Sequence, residues 1–207
     1  MRKNIIYSLL LVVAALFAGC ESRLDIAKHG NMGGQDDFYQ TDEQTEQAVA
    51  SMYSSLKGLY YNWFFIKNVL SDDVWCGGGQ RGDNTSLEQL NEYTYGTDNG
   101  MIQGVFSGLY GLIYQSNLVI EKVADDSPAK KRAIAEAKFF RAWANFELVT
   151  LWGTAPLVDH LLEPGEYRQG NSTPEALWAF VEADLKEAIG MNALPSKKNK
   201  DDQETGM

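Results

Sequence analysis

Residues 101–153, MIQGVFSGLYGLIYQSNLVIEKVADDSPAKKRAIAEAKFFRAWANFELVTLWG, decide the fold. Ile102, Val105, Phe106, Leu109, Leu112, Ile113, Ile120 and Val123 recur at three- and four-residue steps, which is one face of a helix. Ser127-Pro128 then supplies an N-cap and a preset first turn for another helix. That helix runs to Trp152, where Gly153 ends it and Pro156 prevents its resumption. Only residues 124–127 join the two, so they must lie antiparallel as a helical hairpin. Gly104, Gly108 and Gly111 share one face. Glycine costs ~1 kcal/mol against alanine inside a helix, so three of them predict a close crossing with a neighbour. Polar residues interrupt the segment, which excludes a membrane-spanning reading of that spacing.

Upstream, Thr41-Asp42-Glu43-Gln44 has the form of a capping box. Behind it Val49, Met52, Tyr53, Leu56, Leu59, Tyr60 and Trp63 make a helical face. A separate apolar stretch, 63–70, reads as a second helix that stops at Ser71-Asp72-Asp73. From 75 to 100 the chain is rich in Gly, Asn and Asp, a loop of ~25 residues where ~4–6 is usual. Downstream, Ser172-Thr173-Pro174-Glu175 resembles another capping box, followed by the stripe Leu177, Val181, Leu185, Ala188 and Ile189. The reading is an all-α protein of helical hairpins with long loops. No tetratricopeptide consensus recurs at a fixed period.

Composition narrows the chemistry. A net charge of −10 leaves nothing to neutralise a run of phosphates, so nucleic acid is excluded as a partner. Two cysteines cannot build a disulfide framework, and His29 and His160 show no metal-ligand spacing with Cys76 or each other. No cofactor motif is present. At the N-terminus, Arg2 and Lys3 precede the apolar run 5–19 and Cys20. Fifteen helical residues reach only ~22 Å, short of the ~30 Å hydrocarbon core, so the run reads as an export signal. Its end, Leu16-Phe17-Ala18-Gly19-Cys20, resembles a bacterial lipobox. The expectation is a signal peptide over 1–19, lipidation at Cys20, a tether over 20–40 and a helical domain over 41–207.

Longer motifs now carry a resemblance. Glu136-Ala137-Lys138-Phe139-Phe140-Arg141-Ala142, followed by Leu151-Trp152-Gly153-Thr154-Ala155-Pro156-Leu157-Val158, resembles the central signature of the SusD/RagB family. Trp152 and Thr154 depart from the usual pattern. Ser71-Asp72-Asp73, Leu109-Tyr110-Gly111-Leu112-Ile113 with Ser116-Asn117, and Asp184-Leu185-Lys186-Glu187-Ala188 resemble further family segments, in the same order. The resemblance implies the N-terminal portion of a SusD-like fold, with hairpins like tetratricopeptide repeats. It implies an outer-membrane lipoprotein facing the cell exterior, a binding protein and not an enzyme. The ligand would be an oligosaccharide, or a peptide in the RagB branch. The partner would be a SusC-like TonB-dependent transporter that imports the ligand.

Candidate site residues lie in the long loop. Sugars need a flat apolar face and side chains that hydrogen-bond vicinal hydroxyls. Trp75, Arg81 and Asn84 supply both kinds, and Asp73 and Arg81 match family positions for an acidic residue and an arginine. Asp72-Asp73 lacks further ligands at regular spacing, so no metal or acid–base pair is assigned. Arg141, in an apolar stretch, reads as structural and calls for a carboxylate from another helix. Phe139, Phe140, Trp143 and Phe146 read as core. Two other classes compete with the favoured one: a scaffold that binds only protein, and a glycoside hydrolase, which needs two carboxylates ~5–9.5 Å apart.

Overall fold

A computed structural model describes residues 38–195; the expected signal peptide, the expected lipidation site Cys20, most of the expected tether and the final polar segment lie outside them. The described chain is all-α, with helices α1 (Asp42–Val69), α2 (Thr85–Asn91), α3 (Gly100–Lys122), α4 (Pro128–Trp152) and α5 (Pro174–Gly190), and a 3-10 turn at Pro164–Glu166. Consecutive long helices pack on one another, α1 on α3, α3 on α4 and α4 on α5, and α1 also reaches α4. Phe38 and Tyr39, at the end of the segment read as tether, already pack against this body.

Local chemistry sets most helix ends. Thr41 and Gln44 form the reciprocal box: the Gln44 amide donates to Thr41 Oγ1 (3.2 Å) and the Thr41 amide to Gln44 Oε1 (3.1 Å). Ser127 caps α4 by accepting from the Lys130 amide at 3.1 Å. Gly153 ends α4 at φ 75°, a conformation that favours glycine. At α5 the cap is Thr173, which accepts from the Ala176 amide, and no reciprocal side-chain bond completes a box. Ser172 instead donates its amide to the Ala155 carbonyl at 2.9 Å, closing a one-residue bridge.

The stretch 63–70 is not a separate helix. It continues α1, which runs unbroken for 28 residues. No glycine or proline stands after Gly58 to stop it, and ring pairs one turn apart, Tyr60–Phe64 (5.8 Å) and Tyr61–Phe65 (4.8 Å), line its surface. The glycine face of α3 does meet α1. A Cβ at Gly108 would lie 2.8 Å from Leu59 Cδ1 and one at Gly104 2.5 Å from Asn62 Nδ2. Gly111 faces open space, so the close crossing involves two of the three glycines.

Arg141 is the polar hub of the core. Its guanidinium forks onto Asp184 of α5, with Nε to Oδ2 at 2.7 Å and Nη2 to Oδ1 at 2.8 Å. Its Nη1 donates to Asn117 Oδ1 of α3 (2.8 Å) and to the Asp159 carbonyl (2.7 Å). Arg141 and Asp184 are both buried, so the expected carboxylate from another helix is present. Asn117 Nδ2 in turn donates to the carbonyls of Val158 (3.4 Å) and His160 (2.9 Å). The segment after α4 is thus pinned to the hub by three consecutive backbone carbonyls.

On that segment the His160 ring lies between two carboxylates, Nδ1 2.6 Å from Asp159 Oδ1 and Nε2 3.1 Å from Glu166 Oε2. Ionised carboxylates only accept, so this geometry favours the doubly protonated ring, in which both nitrogens donate. Asp159 first and Glu166 second hold its pKa above 6.5. Asp159 is held low chiefly by His160, and Glu166 by the Glu163 amide and then His160. The histidine's contribution is full below 6.5 and fades as pH rises through its raised folded value. The carboxylates contribute above their ordinary values and lose it as pH falls through their lowered ones. An NMR titration of His160 should have its midpoint above 6.5, moving down in Glu166→Gln. A wild-type midpoint at or below 6.5 would contradict the paired ring.

Candidate functional site

Residues 70–99 connect α1 to α3 and are largely folded. A short helix, α2, stands where sequence reasoning expected continuous loop. Asn84 is its N-cap, accepting from the Leu87 amide at 3.2 Å, while buried Leu87 and Leu90 fasten it to the body. Around α2 the carboxylates gather the backbone. Asp83 Oδ2 accepts from the amides of Gly79 (2.7 Å) and Gln80 (3.0 Å), and Glu88 Oε1 from Gly82 (2.7 Å). Gly82 has φ 94°, which this turn requires and glycine takes without strain. The Cys76 amide donates to Asn91 Oδ1 at 2.6 Å. Tyr93, with a left-handed φ of 55°, bonds through its hydroxyl to the Leu70 carbonyl at 3.1 Å.

These contacts leave an open cleft of about 320 Å³ lined by Trp75, Cys76, Gly77, Gly78, Gln80, Arg81, Glu88, Asn91 and Glu92. Trp75 is 83% exposed, an indole ring presented to solvent at the cleft edge. Arg81 forks onto Glu92, Nη1 to Oε1 at 2.7 Å and Nη2 to Oε2 at 2.8 Å. Of the four residues singled out from sequence, Trp75 and Arg81 meet in this cleft. Asp73 is exposed near the exit of α1 and is not among the lining residues, nor is Asn84, whose side-chain oxygen is engaged in capping.

Sequence reasoning missed Gln80, Glu88, Asn91 and Glu92, the polar wall of the cleft. The signal available was Asn84 three residues before Leu87 and six before Leu90, a cap followed by one turn of apolar spacing. Among the described residues, no group of three or more His, Cys, Asp or Glu side chains is placed to hold a metal ion. None of the described helices is long and apolar enough to cross a membrane. A second hollow, about 250 Å³, lies between α1 and α4 and is lined by Leu56, Leu59, Tyr60, Trp63 and Trp143.

Comparison with known proteins agrees with this architecture. The SusD-like family described as "starch-binding associating with outer membrane" matches residues 32–205. A SusD-like protein of Bacteroides ovatus is 32% identical, the match covering 93% of this chain and 36% of that protein. A solved laminarin-binding SusD-like protein superposes with a TM-score of 0.70 at 28% identity, covering 80% of this chain and 37% of the other. A SusD superfamily protein from Bacteroides vulgatus has a TM-score of 0.67 at 24% identity, covering 78% and 36%, a likeness of fold. The chain therefore spans little more than a third of the length of these relatives.

Proposed function

The chain belongs to the SusD-like family, and from that premise we propose that it acts as a cell-surface lipoprotein that captures oligosaccharide. In this reading Cys20 carries the lipid and holds the protein at the outer membrane, facing outward. The captured glycan passes to a TonB-dependent transporter similar to SusC. The protein binds and does not catalyse. Both oxygens of Glu92 accept from Arg81, and an oxygen of Glu88 accepts from the Gly82 amide. A glycosidase acid must hold a proton of its own and reach the leaving oxygen, a role for which a carboxylate clamped by a guanidinium is unsuited.

The observation that carries the reading is Trp75, exposed beside hydrogen-bonding Arg81, Gln80 and Asn91 in one cleft. An indole stacks on the apolar face of a pyranose, and the polar wall takes its hydroxyls. Such contacts are typically worth ~1–3 kcal/mol each. Laminarin is the first probe, because a 28%-identical relative of the same fold is a laminarin-binding protein. Trp75→Ala should weaken retention in a laminarin affinity gel roughly five- to a hundredfold, with an unchanged circular dichroism spectrum. Equal retention of wild type and variant would place glycan binding elsewhere. A scaffold that binds only protein is the second reading, favoured by the apolar hollow between α1 and α4. It predicts that no glycan retards the protein.

A further inference from the structure

We propose that this cleft takes uncharged glycans and rejects those bearing uronate or sulfate, an inference that rests on the glycan reading above. An anionic sugar needs either a free cation or a set of free amides converging on its oxygens. The loop contains both, and in each case one of the protein's own carboxylates already neutralises or holds the group, although Arg81 keeps further N–H groups for neutral hydroxyls. Among the described residues Arg81 is the only cation lining the cleft, and both of its terminal nitrogens face Glu92 at 2.7 and 2.8 Å. The Gly79 and Gln80 amides converge on Asp83 Oδ2, and the Gly82 amide on Glu88 Oε1.

The charge that remains is negative. Glu88 and Glu92 outnumber Arg81 on the cleft wall, and the whole chain carries −10. At physiological salt the Debye length is ~8 Å, so carboxylates lining the same cleft act on a bound ligand with little screening. A sulfate or uronate would have to displace an internal carboxylate and then sit among the others. Neutral hydroxyls face no such obstacle. They donate to the carboxylate oxygens that the backbone leaves open, and the Gln80 and Asn91 side chains offer amide groups beside them. Selectivity of this kind comes from repulsion of the wrong ligand as much as from attraction of the right one.

The test is a panel presented to the full chain: the neutral glycans laminarin, unsubstituted xylan and mannan, then chemically sulfated laminarin, oligogalacturonate and alginate. The expected result is that every retained member is neutral, that retention falls in Trp75→Ala, and that sulfation of laminarin weakens binding at least tenfold. Retention of a sulfated or uronate member in a Trp75-dependent manner would overturn the charge selectivity and leave the glycan reading standing. No retention of any member would overturn the glycan reading and this inference together. A second variant tests the cause. Glu92→Gln removes one carboxylate and releases Arg81, so affinity for oligogalacturonate should rise about tenfold. No gain in that variant at low salt would show that the Arg81–Glu92 pair does not set the preference.

Discussion

Asp184→Ala should lower the stability of the chain by about 3–5 kcal/mol in urea unfolding, the cost of leaving one member of a buried ion pair alone. Arg141 and Asp184 are 6% and 3% exposed, so water cannot replace the lost carboxylate. Two of the guanidinium's hydrogen bonds go to that one side chain, and the other two go to Asn117 and Asp159. Removal of the carboxylate therefore strands a charge at the point where α3, α4, α5 and the segment after α4 meet. Glu187→Ala is the control. Glu187 also holds a cation, Lys138 at 2.7 Å, but its side chain is 61% exposed and Lys138 keeps Asp184 at 4.0 Å, so its loss should change stability by less than ~1 kcal/mol. The double change Arg141→Met with Asp184→Leu should recover only part of the loss, since it strands no charge but leaves Asn117 Oδ1 and the Asp159 carbonyl without their guanidinium donor. A loss below ~1 kcal/mol in Asp184→Ala would show that the hub orders side chains without holding the helices together.

That hub illustrates what is legible in a sequence and what is not. An arginine inside an apolar run must find an anion, which is a local deduction from the cost of burying charge. Which carboxylate it finds is a property of the fold, because Asp184 stands 43 residues away on another helix. The caps behave in the same way. Thr41 with Gln44, Ser127 with Pro128, and Gly153 act within one turn of themselves, and the helices start and stop there. The boundary within α1 was misplaced for the complementary reason. Tyr60, Tyr61, Trp63, Phe64 and Phe65 spread over more than half of the helix circumference, so the narrow apolar stripe loses its period while the backbone continues.

The site shows a sharper version of the same limit. Trp75 and Arg81 stand out in the sequence because aromatic and guanidinium groups in a glycine-rich stretch have few structural uses, and the fold brings both to one cleft. Asn84 was read as a ligand-bonding group, yet its oxygen caps a seven-residue helix. Such a helix is too short to be stable by propensity, and it exists because Leu87 and Leu90 are buried by α1 and α3. Without α2, Glu88, Asn91 and Glu92 have no defined position. The wall of the cleft therefore becomes visible only after packing is known.

Phe140→Ala should cost about 3–5 kcal/mol, while Phe139→Ala and Phe146→Ala should each cost well below ~2 kcal/mol, although all three stand on the same helix. Helical spacing alone assigned this aromatic group to the core. The structure buries Phe140 at 1% exposure and leaves Phe139 and Phe146 at 36% and 37%. The reason is the path of α4 between its neighbours. Its inward face meets Tyr53 of α1, whose ring stands edge-on to Phe140 at 4.9 Å, and truncation there opens a cavity that close-packed helices cannot fill. Phe146 instead meets Trp178 of α5 edge-on at 5.6 Å, with Trp178 itself 41% exposed, so water already reaches both rings. Trp143 is half-buried, 6.2 Å from Trp63, beside the apolar hollow. Thermal or urea unfolding of the three single variants separates the cases. Equal losses at 139, 140 and 146 would mean that the outer rings are as well covered as Phe140. A small loss at Phe140 alone would mean that α1 and α4 do not close over it.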